Sequence, residues 1–435
     1  MPETSPAETG INRRQILVGS AVAVPAIVLS TSIPARATST NSTFDLTLSA
    51  TGIATGSPVD VTATVLDSRG DPWAGQVVTF TTSDPAALSF SSTSAVTDSA
   101  GQATVSVSAA SNATAGTRSI TAASGPLSAS ASIDVFATTA TTSTAAGIWY
   151  VTISPSGSFA LGGSGGITAD GTVTRISTSD DSVTATLKVA STTVQVIAIS
   201  PGNDFALANA TSDGNVVRID LATNTIQAVI PVGANVQGIA ISPNGLFAYV
   251  GSTDSTISRI DLSTNTVSDT IILPGGTGGT GIAFSPDGTF AYAVNVNNGG
   301  AGNTLTRIVT SSNTIDATTS IPSAYSIAMS PDGSFAYVSA RNGFIHRIDP
   351  TTNQITASIS TPGDTVGIDI STDGSFAYSA HPDANVVLRI DTATNTVTAT
   401  IPISGRPLFV AISPDDSFAY VTRNTAASVA RIEWN

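Results

Sequence analysis

One unit of about forty residues recurs seven times between Ile148 and the C-terminus. Its clearest copies read IAISPNGLFAYVGSTDSTISRIDLSTNTVSDTII from Ile239 and VAISPDDSFAYVTRNTAASVARIEWN from Val410. Two markers give the same count. A phenylalanine falls at Phe159, Phe205, Phe247, Phe290, Phe335, Phe376 and Phe418. An Arg-Ile pair follows each, starting at Arg175, Arg218, Arg259, Arg307, Arg347, Arg389 and Arg431. A unit this short cannot bury its own apolar face, so successive units must stack. Several short β-rich runs per unit predict an all-β fold with a seven-bladed β-propeller over 148–435. Such a repeat settles architecture and leaves function open.

Each copy parses into four strands. An apolar run such as Ile239-Ala240-Ile241 leads to a turn of the Ser285-Pro286-Asp287-Gly288 type, where proline presets φ and glycine accepts a positive φ. The second strand reads Phe-Ala-Tyr-Val, as at 335–338. The third carries Arg-Ile-Asp. A second turn, Thr392-Ala393-Thr394-Asn395 in the sixth copy, opens the fourth strand. The seventh copy ends at Arg431-Ile432-Glu433-Trp434-Asn435, before any fourth strand, which would leave an unpaired edge. Carrying the repeat register backwards from Val151 places 138–144, TTATTST, where a fourth strand belongs. Its β-branched threonines suit one. The expectation is that 137–147 is a short connection containing a ring-closing strand, antiparallel to 428–433. A Thr/Ala linker is the alternative.

The combination Ser-Pro-Asp-Gly, Phe-Ala-Tyr-Val and Ile-Asp…Thr-Asn resembles the YVTN family of β-propeller repeats, found in secreted and surface-layer proteins of archaea and bacteria. The resemblance spans 148–435 and implies architecture, not ligand. The chain departs from that family in carrying Arg before the Ile of the third strand in every copy. Two copies, Arg175-Ile176-Ser177 and Arg307-Ile308-Val309, lack the acid that follows elsewhere.

The front of the chain is different in kind. In 1–37, Arg13-Arg14 precede a mildly apolar run from Ile16 to Leu29 that is broken by Gly19, Ser20 and Pro25, and Ala35-Arg36-Ala37 offers a cleavage site. The string Asn12-Arg13-Arg14-Gln15-Ile16-Leu17 resembles a twin-arginine signal, which implies export in a folded state. An ordinary secretory signal is the alternative. Residues 43–136 then alternate apolar and polar in runs such as Val59 to Val65 and Ala103 to Val107, with turn signals between them. That pattern predicts a β-sandwich. The segment Val65 to Gly75, Val77 to Phe80, and Thr97 to Ala103 resemble the bacterial Ig-like domain of the invasin and intimin type. In that family such domains are mostly stalks and spacers.

Charge and cysteine content exclude several classes. The first 37 residues hold three arginines and two glutamates, so the remainder carries 13 basic and 28 acidic groups, a net −15. That disfavours nucleic acid and anionic membrane surfaces as partners. The absence of cysteine removes disulfides, thiolate metal sites and cysteine nucleophiles. No apolar run outside the signal is long enough to span a bilayer, and no sorting motif follows the last copy. A released or non-covalently held protein is expected.

Candidate sites are sparse. The arginines recur once per unit and are read as part of the unit, with Asp220, Asp261, Asp349, Asp391 and Glu433 as companion acids. Asp369 stands where the other copies have Thr152, Ala198, Ala240, Ala283, Ala328 and Ala411, so it is expected to face the channel, toward water or a cation. One carboxylate falls short of a calcium site. His346 is read as a surface side chain. His381 is read as a loop residue with Asp383 nearby, a pairing that general-base chemistry uses. Gly162 to Gly166 and the other glycine runs read as loops. The irregular second-to-third and fourth-to-first connections gather on one face, where Arg341, Asn342, His381, Asp383, Arg406, Arg423 and Asn424 are the ligand-face candidates. No catalytic residue, metal or cofactor is assigned.

The functional expectation is an exported, envelope-associated or released binding or adhesion-type protein, its Ig-like spacer presenting a propeller to an envelope glycan or protein. Two alternatives stand beside it: an extracellular hydrolase or lyase acting at the channel mouth, and a structural surface-layer component.

Overall fold

The computed structural model describes residues 37–39, 42–143, 147–166, 169–191, 193–210, 213–233, 235–274, 279–296 and 303–434. Apart from Ala37, the expected export signal lies outside them. Six copies of the repeat each form a four-stranded antiparallel sheet with strands paired in chain order. In the second copy these are Ile197–Ile199, Phe205–Ala210, Asn215–Asp220 and Thr225–Pro231. The turns follow from their residues. Gly288 takes φ +70° and its N–H bonds the Ser285 carbonyl at 2.8 Å. Asn224, Asn265, Asn353 and Asn395 hold φ of 55–57°, a left-handed conformation that asparagine tolerates. The acid after Arg-Ile caps this second turn: Asp220 Oδ1 accepts from the N–H groups of Ala222 and Thr223 at 3.0 and 2.8 Å. Those bonds hold its carboxyl below the usual carboxylate range.

The seven arginines stack over the phenylalanines of their own sheets, with guanidinium carbons 3.7–4.9 Å from the ring centroids. Several also reach across to the second turn of the next sheet. Arg175 donates to the Leu221 carbonyl at 2.6 Å, Arg218 to Leu262 at 2.6 Å, Arg307 to Pro350 at 2.6 Å and Arg347 to Thr392 at 2.7 Å. Arg431, in the seventh sheet, donates to the Thr178 carbonyl of the first at 2.8 Å. Tyr420 and Thr142 add hydrogen bonds to Asp181 at the same junction. The first strands of consecutive sheets contact one another in order, and that of the seventh contacts that of the first.

The seventh sheet has strands Pro407–Ile412, Phe418–Arg423 and Ser428–Glu433. Its fourth strand is the end of Leu127–Ser143, which pairs antiparallel with Ser428–Glu433, Thr138 opposite Ile432 and Ser143 opposite Ser428. The front half of that 17-residue strand belongs to the N-terminal sandwich, where it pairs with Gly116–Ser124. One eight-stranded sheet therefore runs without interruption from the sandwich into the seventh repeat. The separate connection expected from Ala137 onward is absent as a break: the strand passes straight through it. Gly162 to Gly166, read as a loop, also proves to be strand (Phe159–Gly166).

The sandwich packs that sheet against a five-stranded one around Phe44, Val61, Phe80, Val105, Ile120 and Ile133. A second core joins the two regions. Ala54 and Phe136 from the front bury against Phe376, Tyr378, Ile401 and Trp434. This is the one arginine–tyrosine junction without a turn to receive it. Among the described residues Tyr378 has no hydrogen-bond partner for its buried hydroxyl, and Arg389 lies 4.0 Å from Asp134. Trp434 fills the place, 5.1 Å from Tyr378 and 5.5 Å from Phe376 between ring centroids.

Candidate functional site

Where the first strands begin, five of the seven sheets carry a register shift of the same kind. Trp149, Gln237 and Tyr325 each stand as the extra residue between paired neighbours, and Leu408-Phe409 oppose Thr422 alone. A bulge swings its side chain out of the ladder and leaves backbone N–H groups without strand partners. A polar residue in the adjoining second strand collects them. Thr422 Oγ1 accepts from Leu408 and Phe409 at 3.2 and 2.9 Å, and Ser339 Oγ from Ser326 at 3.1 Å. In the second sheet, where Ile197–Ile199 pair in register, Asn209 Oδ1 takes a comparable part just ahead of the first strand, accepting from Gln195 and Val196 N–H at 2.8 and 3.0 Å.

The re-aimed side chains enclose a cavity of about 100 Å³ lined by Trp149, Tyr150, Gln195, Gln237, Tyr325 and Phe409 over a floor of Val196, Ile239, Ile282 and Ile327. Trp149 is fixed by its Nε1–H bond to the Gly165 carbonyl at 3.1 Å. Tyr150 and Phe409 meet at 4.8 Å between centroids. Burial, with the Asp369 carboxylate beneath, pushes the Tyr150 hydroxyl up to about 12, so it remains a proton donor. Gly281 lets the fifth sheet close in: a Cβ there would sit 2.9 Å from Ser326 Cα. No lining residue is charged. The chemistry on offer is ring faces and neutral hydrogen-bonding groups, with nothing to exchange a proton at neutral pH.

The ligand-face candidates do not converge on this cavity. Arg341 lies on the rim, its guanidinium 4.0 Å from the Tyr325 ring centroid. Asn342 is exposed and donates to the Pro322 carbonyl at 3.3 Å. Arg423 holds the turn before the seventh sheet through Ser404 (2.7 Å), Arg406 sits in that turn at φ +61°, and Asn424 donates to the Ile148 carbonyl at 3.3 Å, tying seventh sheet to first. Asp383 is exposed. Two readings need correction. His381 is no loop residue: it ends the strand Phe376–His381, fully buried, with Ser379 Oγ at 2.9 Å from Nε2. Burial lowers its pKa to about 4, so it is neutral. His346 is buried as well, bonded to Ser358 at 2.8 Å and stacked on Phe344. Asp369 turns its carboxylate to two backbone donors, Ile412 N–H at 2.8 Å and Ile370 N–H at 3.0 Å, and burial raises its pKa to about 6. No cluster of three His, Asp or Glu suited to a metal occurs among the described residues.

The aromatic mouth was not among the sequence candidates. Its signal was present in two places: Trp149, Gln195, Gln237 and Tyr325 occupy one repeat position that never settles on a residue, and Asn209, Ser339 and Thr422 are polar residues inside otherwise apolar strands.

Residues 43–142 match the family of bacterial Ig-like domains (group 1). The matched segment reaches past Phe136 into the strand that completes the seventh sheet. No curated protein matches the chain. Among solved structures, hydrazine synthase of Kuenenia stuttgartiensis is similar with a TM-score of 0.62 at 20% identity, over 67% of this chain and 97% of that one. At that identity the likeness is one of fold. The Ig-like domain points to a surface or adhesion-type role. No described helix is long and apolar enough to cross a membrane.

Proposed function

We propose that this chain is an exported binding protein of the cell envelope, or released from it, in which the Ig-like domain presents a seven-bladed propeller whose mouth takes the ligand. Six four-stranded sheets and the four strands at the end of the eight-stranded sheet, their first strands in cyclic contact order, support the propeller reading. The twin-arginine-like string at Asn12 to Leu17 supports export. The observation that carries the binding function is the uncharged cavity of ring faces and amides at the start of six sheets. Probing arrays of envelope glycans and proteins with the purified chain tests it. Saturable retention on one component is expected, and absence of retention on every component contradicts it.

The hydrolase or lyase reading has little to stand on. Asp369 is engaged by backbone donors, His381 by Ser379, and Asp383 is in solvent; none borders the cavity. A surface-layer component would show ordered self-assembly of the purified protein.

A further inference from the structure

Within that binding reading, we propose that the mouth cavity holds one uncharged sugar residue of a polysaccharide, stacked on Trp149 and hydrogen-bonded by Gln195 and Gln237. Three features choose this class. The first is the absence of charge: an acidic or basic group entering the cavity would lose hydration with no counter-charge among the lining residues. The rim cation Arg341 is held against the ring of Tyr325. The second is unused hydrogen-bonding capacity. The side chains of Gln195 and Gln237 are half-buried and have no hydrogen-bond partner among the described residues, and the Tyr150 and Ser326 hydroxyls likewise bond to no other described group. Filling the cavity with a purely apolar ligand would strand these four groups without water or partner. Carboxamides and hydroxyls both donate and accept, and so do sugar hydroxyls.

The third is shape. A pyranose is amphipathic in a directional way, with C–H bonds on its faces and hydroxyls around its edge. The cavity is arranged to match. Trp149, pinned through its Nε1, offers a rigid ring; Tyr150, Tyr325 and Phe409 complete the aromatic wall; the amides approach from the second and third sheets.

The inference is tested on the full exported chain by tryptophan fluorescence. The probes are methyl glycosides and hexamers of glucose, galactose, mannose and N-acetylglucosamine, with hexagalacturonate as the acidic counterpart. At least one neutral probe should shift the emission saturably, and hexagalacturonate should not. Gln195→Ala and Gln237→Ala should each weaken binding about tenfold. Trp149→Ala, followed by calorimetry, should abolish it. The glutamine side chains hold nothing in the fold, so melting temperatures should stay at the wild-type value. Failure of every neutral probe, preference for hexagalacturonate, or binding indifferent to both glutamine variants overturns the assignment. Wild-type retention on envelope components separates the two levels: if it persists while the sugars fail, the protein binds through another surface, and if it too is absent, the binding function itself falls.

Discussion

At the scale of single residues, the seven arginines show how a repeated charge becomes structural. Each guanidinium lies on its own phenylalanine, and those that also bond a carbonyl of the next sheet fasten neighbours together. Arg347→Ala should cost about 2 kcal/mol in denaturant unfolding, from a lost cation–π contact and a buried carbonyl left without its donor. Arg389→Ala should cost visibly less, since Arg389 has no carbonyl partner and only a 4.0 Å approach to Asp134. The buried titratable groups make a second prediction. Asp369 binds its proton more tightly in the fold, near pH 6 against 3.8, so the stability it contributes is present below pH 3.8 and lost as pH rises through 6. His381 does the reverse: its pKa falls from 6.5 to about 4, so stability is present above 6.5 and lost as pH drops through 4. His346 acts in the same sense as His381. Between pH 4 and 6 Asp369 and the histidines oppose each other. Asp369→Asn should remove the compensation, and unfolding free energy should then fall by about 2 kcal/mol more than in the wild type between pH 6.5 and 4. Parallel curves for the two proteins would show that Asp369 is not the opposing group. The periodicity of the arginines was legible in the sequence as structure. Their partners were not, because each lies more than forty residues away across a sheet boundary that only packing defines.

At the scale of elements, the decisive strand is Leu127–Ser143. Its sandwich half shows clean alternation and its far half is threonine-rich, so the sequence presented them as two elements parted at Phe136. The backbone ladder ignores that change of composition, since both halves have an edge to complete. Deleting residues 138–143 should expose Ser428–Glu433, lower the melting temperature and promote association through the bare edge, read by light scattering. An unchanged melting temperature and a monomeric product would make the segment a linker. The bulges that build the aromatic mouth were the least legible element. A one-residue register shift leaves no mark on hydrophobic periodicity, and only the polar Ser339 and Thr422 betray the N–H groups it frees. His381 is misplaced for a related reason: its strand runs two residues further than Phe-Ala-Tyr-Val suggests, and carries the imidazole into the core.

At the scale of the whole molecule, the Ig-like domain is bonded into the repeat region and buries Phe136 and Ala54 there. A shared sheet and a shared core couple the two in unfolding. Calorimetry should show one transition for the full chain, and Trp434→Ala should cost about 3–5 kcal/mol and separate the transition into two. The most direct test of the binding reading is co-sedimentation of the full chain with isolated cell envelopes, comparing wild type with the Trp149→Ala, Gln195→Ala, Gln237→Ala triple variant. The wild type should sediment saturably and the variant, shown by circular dichroism to be folded at the assay temperature, should stay in the supernatant. Equal sedimentation of both, or of neither, would contradict a binding function seated in the aromatic mouth.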